Sequence, residues 1–252
     1  MTIETPIQIC IGTEPKTEIA RKVLEHSIRR RTRAEVCFHP MSSSHRPAAL
    51  TGLTGFSLER WSIPERLGYR GKAIYLDADQ LVLGDIRELW TTDERRPKPG
   101  ASAWCVPLRD FWDTSVMLID CAAARCWPTL GQLAERLADP PKRRFRYRRI
   151  MSGVELDPSP GTLEPFWNHH DACQPEVTRL VHFTDRSRQP WFFPQHPLAE
   201  MWAAELRDAL AAGAVTVEEV LAACDAFAMG PTLAKAGMHP HWRAVVETAQ
   251  VA

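Results

Sequence analysis

Apolar residues along the chain fall into short blocks whose spacing alternates between strand and helix periods. Residues 7–11, IQICI, are a continuous apolar run that ends at Gly-Thr-Glu-Pro, as a buried strand entering a turn would. Ile19, Val23, Leu24, Ser27 and Ile28 then share one face of a helix. Thr17 is placed to cap that helix, and Arg29 to Arg31 stand at its carboxyl end, where the dipole favours cations. Residues 34–38, AEVCF, read as a second strand, and strand–helix–strand at this spacing predicts an α/β unit.

The pattern continues beyond a Ser-, Pro- and Gly-rich stretch at 41–55, which predicts a loop. A short helix is expected around 56–61, strands at 73–76, 102–106 and 115–119, and a helical turn at 85–90. Residues 122–137 read as a helix interrupted early by Pro128, and 138–178 as irregular, proline-rich and basic. A last strand is expected at 179–184. Ala-rich amphipathic helices follow at 198–212, 216–226 and 241–249, with Leu198, Met201, Trp202, Leu206 and Leu210 in one stripe. The expected organisation is one domain over residues 1–195 with a helical appendage, 196–252, packed on it.

Composition narrows the class. With 252 residues, 44% of them hydrophobic, the chain can bury a full α/β core. Net charge is zero and the isoelectric point is near 7.1, so no overall field draws nucleic acid or membrane. Seven cysteines, an odd number without a C-x-x-C pair, predict reduced thiols and a cytoplasmic setting. The amino-terminal residues lack the basic and apolar regions of a signal peptide, and no apolar run reaches membrane-spanning length.

Candidate chemistry begins at AIYLDADQLVLG, residues 73–84, where an apolar strand runs into two aspartates. A D-x-D arises easily by chance, so its place carries the signal: ligand crevices of open α/β sheets lie outside the carboxyl ends of strands. In extended backbone Asp77 and Asp79 point to one side and Ala78 to the other. Two such carboxylates repel unless a cation or a shared proton intervenes, and a divalent metal resolves the conflict. His182, in RLVHFTDRSRQPW, is either an ordinary core histidine or a third ligand. Carboxylates with an imidazole suit Mn²⁺, with Mg²⁺ as the alternative. Arg186 and Arg188 read either as a solvated loop or as phosphate partners.

The segments IQICIGTEPKTEIARKVLEHSIRRRTRAEV, TGFSLERWSIPERLGYRGKAIYLDADQLVLGDIRELW, SVMLIDC, WNHHD and VHFTDRSRQPW occur in this order. Together they resemble the retaining nucleotide-sugar glycosyltransferases of family 8, which have the GT-A fold, over about residues 5–195. The resemblance implies a Rossmann-like, mostly parallel mixed sheet flanked by helices, and transfer of a sugar from a nucleotide donor, most simply UDP-linked. Asp77 and Asp79 match the family's D-x-D on Mn²⁺ and the donor diphosphate, and His182 its later metal ligand. Gly12 and Thr13 match the loop lining the nucleoside pocket, with Ala78 alongside. Arg60 matches an arginine near the donor, where it would face diphosphate or sugar, and Arg60 and Arg188 are the cations expected to act catalytically on the diphosphate. Asp113-Thr114-Ser115 replace an Asn-Ser/Ala-Gly that contacts the donor sugar. Gln189 stands where the family has lysine, so Arg186 or Arg188 must supply the missing charge. The family's acceptor segment has only weak counterparts in Glu155 and Asp157.

Trp167, Asn168 and His169 are candidates to line an acceptor cleft, or else residues that pin a loop. KRRFRYRR, residues 142–149, reads as a solvated loop or as a contact for an anionic acceptor, a phospholipid surface or single-stranded nucleic acid, of which the first two fit a transferase better. The acceptor class left open is a glycan, a lipid-linked molecule or a small molecule, and the alternative is a catalytically degenerate nucleotide-sugar-binding or assembly protein of the same fold.

Overall fold

The computed structural model describes residues 5–42, 56–154, 160–229 and 238–249. In chain order the strands are β1 (Ile7–Gly12), β2 (Val36–Met41), β3 (Lys72–Asp77), β4 (Gln80–Val82), β5 (Ala103–Pro107), β6 (Trp112–Asp120), β7 (Gly161–Thr162), β8 (His169–His170) and β9 (Leu180–His182). The helices are α1 (Glu18–Arg29), α2 (Ile63–Arg66), α3 (Ile86–Trp90), α4 (Thr92–Arg95), α5 (Leu130–Arg136), α6 (Pro140–Met151), α7 (Ala199–Ala211), α8 (Val217–Met229) and α9 (His241–Ala249). The fold is mixed α/β. Among the described residues no helix is long and apolar enough to cross a membrane.

Contacts divide the chain into two compact units. The first comprises residues 1–14, 33–77 and 86–167. It holds a six-stranded sheet of order β2-β1-β3-β6-β5-β7. β1 pairs parallel with β2 and β3, and β5 with β7, whereas β6 runs antiparallel to both β3 and β5. Alternate residues of one sheet face, Ala73 and Tyr75, Ala103 and Cys105, Met117 and Ile119, pack beneath Leu58, Trp61, Ile63, Trp127 and Leu133. Trp61 and Trp127 meet edge to face at 5.1 Å, worth about 1 kcal/mol beyond the area they bury.

The second unit comprises residues 15–32, 78–85 and 168–252. Its small sheet has the order β4-β9-β8. The expected apolar face of α1 is buried: Ile19, Val23, Leu24, Ser27 and Ile28 are all inaccessible or nearly so. Ile19 and Val23 share a core with Leu81, Val181, Phe183, Trp191, Trp202 and Leu206, and the stripe on α7 packs there.

Three local expectations are corrected. Thr17 ends a short 3-10 turn, Pro15–Thr17, and makes no side-chain cap on α1, because its backbone is already turned inward. Residues 140–151, expected to be irregular, form the helix α6, started by Pro140 and Pro141 in its first turn and held at its far end by buried Ile150. Ala78 and Asp79 form a turn after β3, so the two aspartates do not sit on one continuous extended strand.

Candidate metal and donor site

Asp77 ends β3 beside Gly12, its register partner at the end of β1. The two strand ends are pinned together by what Gly12 lacks. A Cβ there would lie 2.2 Å from the Tyr75 hydroxyl and 2.6 Å from the Phe56 ring, so only glycine lets Tyr75 stay in place. The Tyr75 hydroxyl donates to Asp77 Oδ1 at 2.5 Å. Thr13, next along, is buried, and its N–H donates to the Met41 carbonyl at 3.1 Å.

Arg60 holds the other side of Asp77. Its guanidinium donates to Asp77 Oδ1 at 3.0 Å, to the Ser57 carbonyl at 2.8 Å and to Thr114 Oγ1 at 2.9 Å, with a further bond to the Thr114 carbonyl. It also lies 4.5 Å from the centre of the Tyr75 ring. Burial works against the charge, but Asp77 and Tyr75 beside it outweigh burial and push its pKa up. Arg60 is therefore a fixed cation whose guanidinium bonds Ser57, Thr114 and Asp77, and it positions Asp77.

Thr114 comes from an irregular place in β6. Cys105 faces Met117 while Val106 faces Asp113, so residues 114–116 bulge out of the pairing. Asp113 Oδ1 closes the bulge by accepting from Ser115 N at 2.9 Å and Ser115 Oγ at 2.5 Å. The three residues where the sequence departs from the family pattern are thus a braced bulge in β6, tied through Thr114 to Arg60.

Asp79 and His182 are brought together by the β4–β9 pair, in which Gln80 faces His182. His182 Nε2 lies 3.3 Å from Asp79 Oδ1. That oxygen is buried and accepts no hydrogen bond among the described residues. The other ring nitrogen, Nδ1, lies 3.1 Å from the Asn168 amide oxygen, a pairing that puts the proton on Nδ1 and turns Nε2 toward the carboxylate. A neutral imidazole nitrogen against a carboxylate oxygen is attractive only with a cation or another proton there. Asp79 Oδ2 accepts from Gln189 Nε2 at 2.8 Å, and the same nitrogen donates to the Phe183 carbonyl at 3.0 Å.

Asp77, Asp79 and His182 each offer one ligand atom, and these atoms all lie within 4.8 Å of one another. The unpartnered Asp79 oxygen, the oriented histidine and the mixed oxygen and nitrogen donors fit a divalent metal.

The remaining expected residues are distributed as follows. Arg186 and Arg188 are exposed on the loop after β9, where Arg188 stacks 5.1 Å from the centre of the Phe193 ring. Trp167 is only 1% exposed, so it presents no face for a sugar to stack on, and its expected acceptor role is corrected to a core one. Asn168 orients His182, and His169 Nδ1 lies 2.8 Å from Thr178 Oγ1. Glu155 and Asp157 lie outside the described residues. Gln189 was legible only as a missing lysine. Its hold on Asp79, 110 positions away, has no local signature.

No protein-family model matches the chain. It is 25% identical over 237 residues to Protein CDI of Arabidopsis thaliana, covering 81% of this chain and 87% of that protein. Among solved structures it is similar to the apo form of the glycosyltransferase GlyE of Streptococcus pneumoniae TIGR4, with a TM-score of 0.56 and 12% identity over 83% of this chain. This chain spans 64% of GlyE. It is similar also to the galactosyltransferase LgtC in complex with donor and acceptor sugar analogs, with a TM-score of 0.58 and 12% identity, over 80% of this chain and 96% of LgtC. The architecture is that of the GT-A type glycosyltransferases.

Proposed function

We propose that this chain, built on a GT-A fold, is a metal-dependent, configuration-retaining glycosyltransferase. In this reading it takes a sugar from a UDP-linked donor to a glycan, lipid-linked or small-molecule acceptor. The carrying observation is the trio Asp77, Asp79 and His182, with a buried carboxylate oxygen that no hydrogen bond satisfies. These residues would hold Mn²⁺, or Mg²⁺ in its place, and a bound ion would neutralise the diphosphate as it leaves.

The protein's own part is positioning. Tyr75 and Arg60 hold Asp77, Gln189 holds Asp79, and Asn168 sets the tautomer of His182. Residues 12–13 and 78 would line the nucleoside, and residues 113–115 would face the sugar. Departure of the diphosphate builds negative charge, and only groups that stabilise that charge where it develops lower the barrier. Gln189 brings none, so Arg186 and Arg188 on the exposed loop are the cations proposed for that task. Retention follows if the acceptor attacks from the face the diphosphate leaves, with a phosphate oxygen taking its proton. Seven cysteines without a disulfide support a cytoplasmic setting.

The test is Asp79→Ala. Asp77 is the poorer choice, since removing it strands the buried Arg60 charge, a loss of about 3–5 kcal/mol in the fold itself. Losing Asp79 strands little, because Gln189 keeps the Phe183 carbonyl. Wild-type protein should show a thermal shift with a UDP-sugar only when Mn²⁺ is present, and should release UDP. Asp79→Ala should melt normally yet lose both responses. Full Mn²⁺-dependent donor binding in the variant would refute the assignment. Binding without UDP release under all acceptors would favour the non-catalytic reading that the uncharged Gln189 suggests.

A further inference from the structure

Away from these residues, five large apolar side chains stand exposed among those described: Leu108, Phe111, Phe145, Val154 and Val177. Phe111, Phe145 and Val154 line one open cavity of about 710 Å³ with Met151, Arg148 and Arg149. Leu108 shares the β5–β6 tip with Phe111, to whose carbonyl its N–H donates at 2.8 Å. Four of the five thus gather in one place, and Phe145 is 65% exposed. Exposed apolar side chains scattered singly need no explanation, but a cluster does.

The cluster is set in positive charge. α6 carries six basic residues and no acid. The charge is not there to stabilise the helix. Lys142 and Arg143 crowd its amino-terminal end, where the dipole repels cations. Lys142 with Arg146, and Arg144 with Arg148, are like charges one turn apart. Arg143 and Arg146 donate to the Leu137 and Arg136 carbonyls. The side chains of Lys142, Arg144 and Arg148 have no hydrogen-bond or ion-pair partner among the described residues. Among the described residues the opposing acids are few: Asp110 lines the cavity, and Asp139 lies 3.8 Å from Arg146. Since the whole chain is neutral, this is a local concentration of charge.

We propose that α6 and the β5–β6 tip form a docking surface for an anionic phospholipid bilayer. Lys142, Arg144 and Arg148 meet headgroup phosphates while Phe111 and Phe145 enter the headgroup–acyl boundary. Charge attraction and shallow apolar insertion are the two contributions that hold peripheral proteins on such surfaces. Neither depends on sugar transfer.

The experiment is co-sedimentation with vesicles of phosphatidylcholine alone or with about a third phosphatidylglycerol. The protein should pellet with the anionic vesicles only, and less as salt rises. Arg144→Ala and Arg148→Ala should each weaken partitioning about fivefold. Phe145→Ser should weaken it about tenfold or more while leaving the melting temperature unchanged. No retention on anionic vesicles at low salt would overturn the proposal, as would equal retention of all three variants. So would a Phe145→Ser protein that binds vesicles normally but changes from dimer to monomer, because the surface would then join two copies of this chain. Donor binding measured on the same samples keeps failure here separate from failure of the transferase reading.

Discussion

At Gln189 one amide nitrogen serves two acceptors, a carboxylate oxygen of Asp79 and the Phe183 carbonyl. A lysine at this position would bring a full positive charge beside the same carboxylate. The amide holds the oxygen without neutralising it. Asn168 does the equivalent for His182 from the other side of the ring. Outer partners of metal ligands typically contribute one to two orders of magnitude in affinity. Gln189→Ala and Asn168→Ala should therefore each weaken Mn²⁺ binding about 10- to 100-fold, measured by calorimetric titration, with folding little changed. Wild-type affinity in both variants would reduce them to packing residues. Asp77 and Asp79 could be read as candidate ligands because chemistry at strand ends is visible locally, and His182 only through the family resemblance. Their supports could not, since Gln189 and Asn168 act on residues 110 and 14 positions away.

Between elements, α1 and α7 are clasped by one buried acid. Glu205, 3% exposed, faces His26 Nδ1 at 3.0 Å, Arg31 at 2.8 Å and Arg30 at 3.3 Å. Stripping one partner from a fully buried ion pair costs about 3–5 kcal/mol, but both arginines here can turn toward water. Glu205→Ala should thus cost about 2 kcal/mol, read as a lower midpoint in urea denaturation with unchanged slope. An unaltered midpoint would mean that the apolar face alone holds the two helices. That apolar face was plain in the sequence, since α1 repeats its hydrophobic positions at helical spacing over three turns. The helix α6 was not. Its charges erase any periodicity, and only Ile150, Tyr147 and Met151 near its end reach the core. Tertiary packing of one turn overrides a pattern that reads as solvated loop.

Across the whole molecule none of the seven cysteines forms a disulfide, but they are not chemically equal. Burial, then the neighbouring Cys121 thiol, pushes the Cys10 pKa up to about 12. Burial, then Asp120, does the same to Cys121, also to about 12. Thiolate is the reactive form, so near pH 8 these two are ionised in only about one molecule in ten thousand. Cys37 and Cys126 are exposed. Brief alkylation of native protein at pH 8 should label Cys37 and Cys126 and spare Cys10 and Cys121. Raising the pH to 9 should still spare Cys10 and Cys121, as peptide mass spectrometry would show. Native-rate labelling of Cys10 would contradict the packing of that sheet face. The core that α1 shares with α7 and α8 has a temporal side as well. Ile19 and Val23 leave the ribosome early, whereas Trp202, Leu206 and Val220 are made some 180 residues later. At about 5–20 residues per second, a greasy helix face waits roughly ten seconds or more for its cover. During synthesis that stripe is a natural handhold for chaperones, and a chain cut short before α7 would carry it into the cell uncovered.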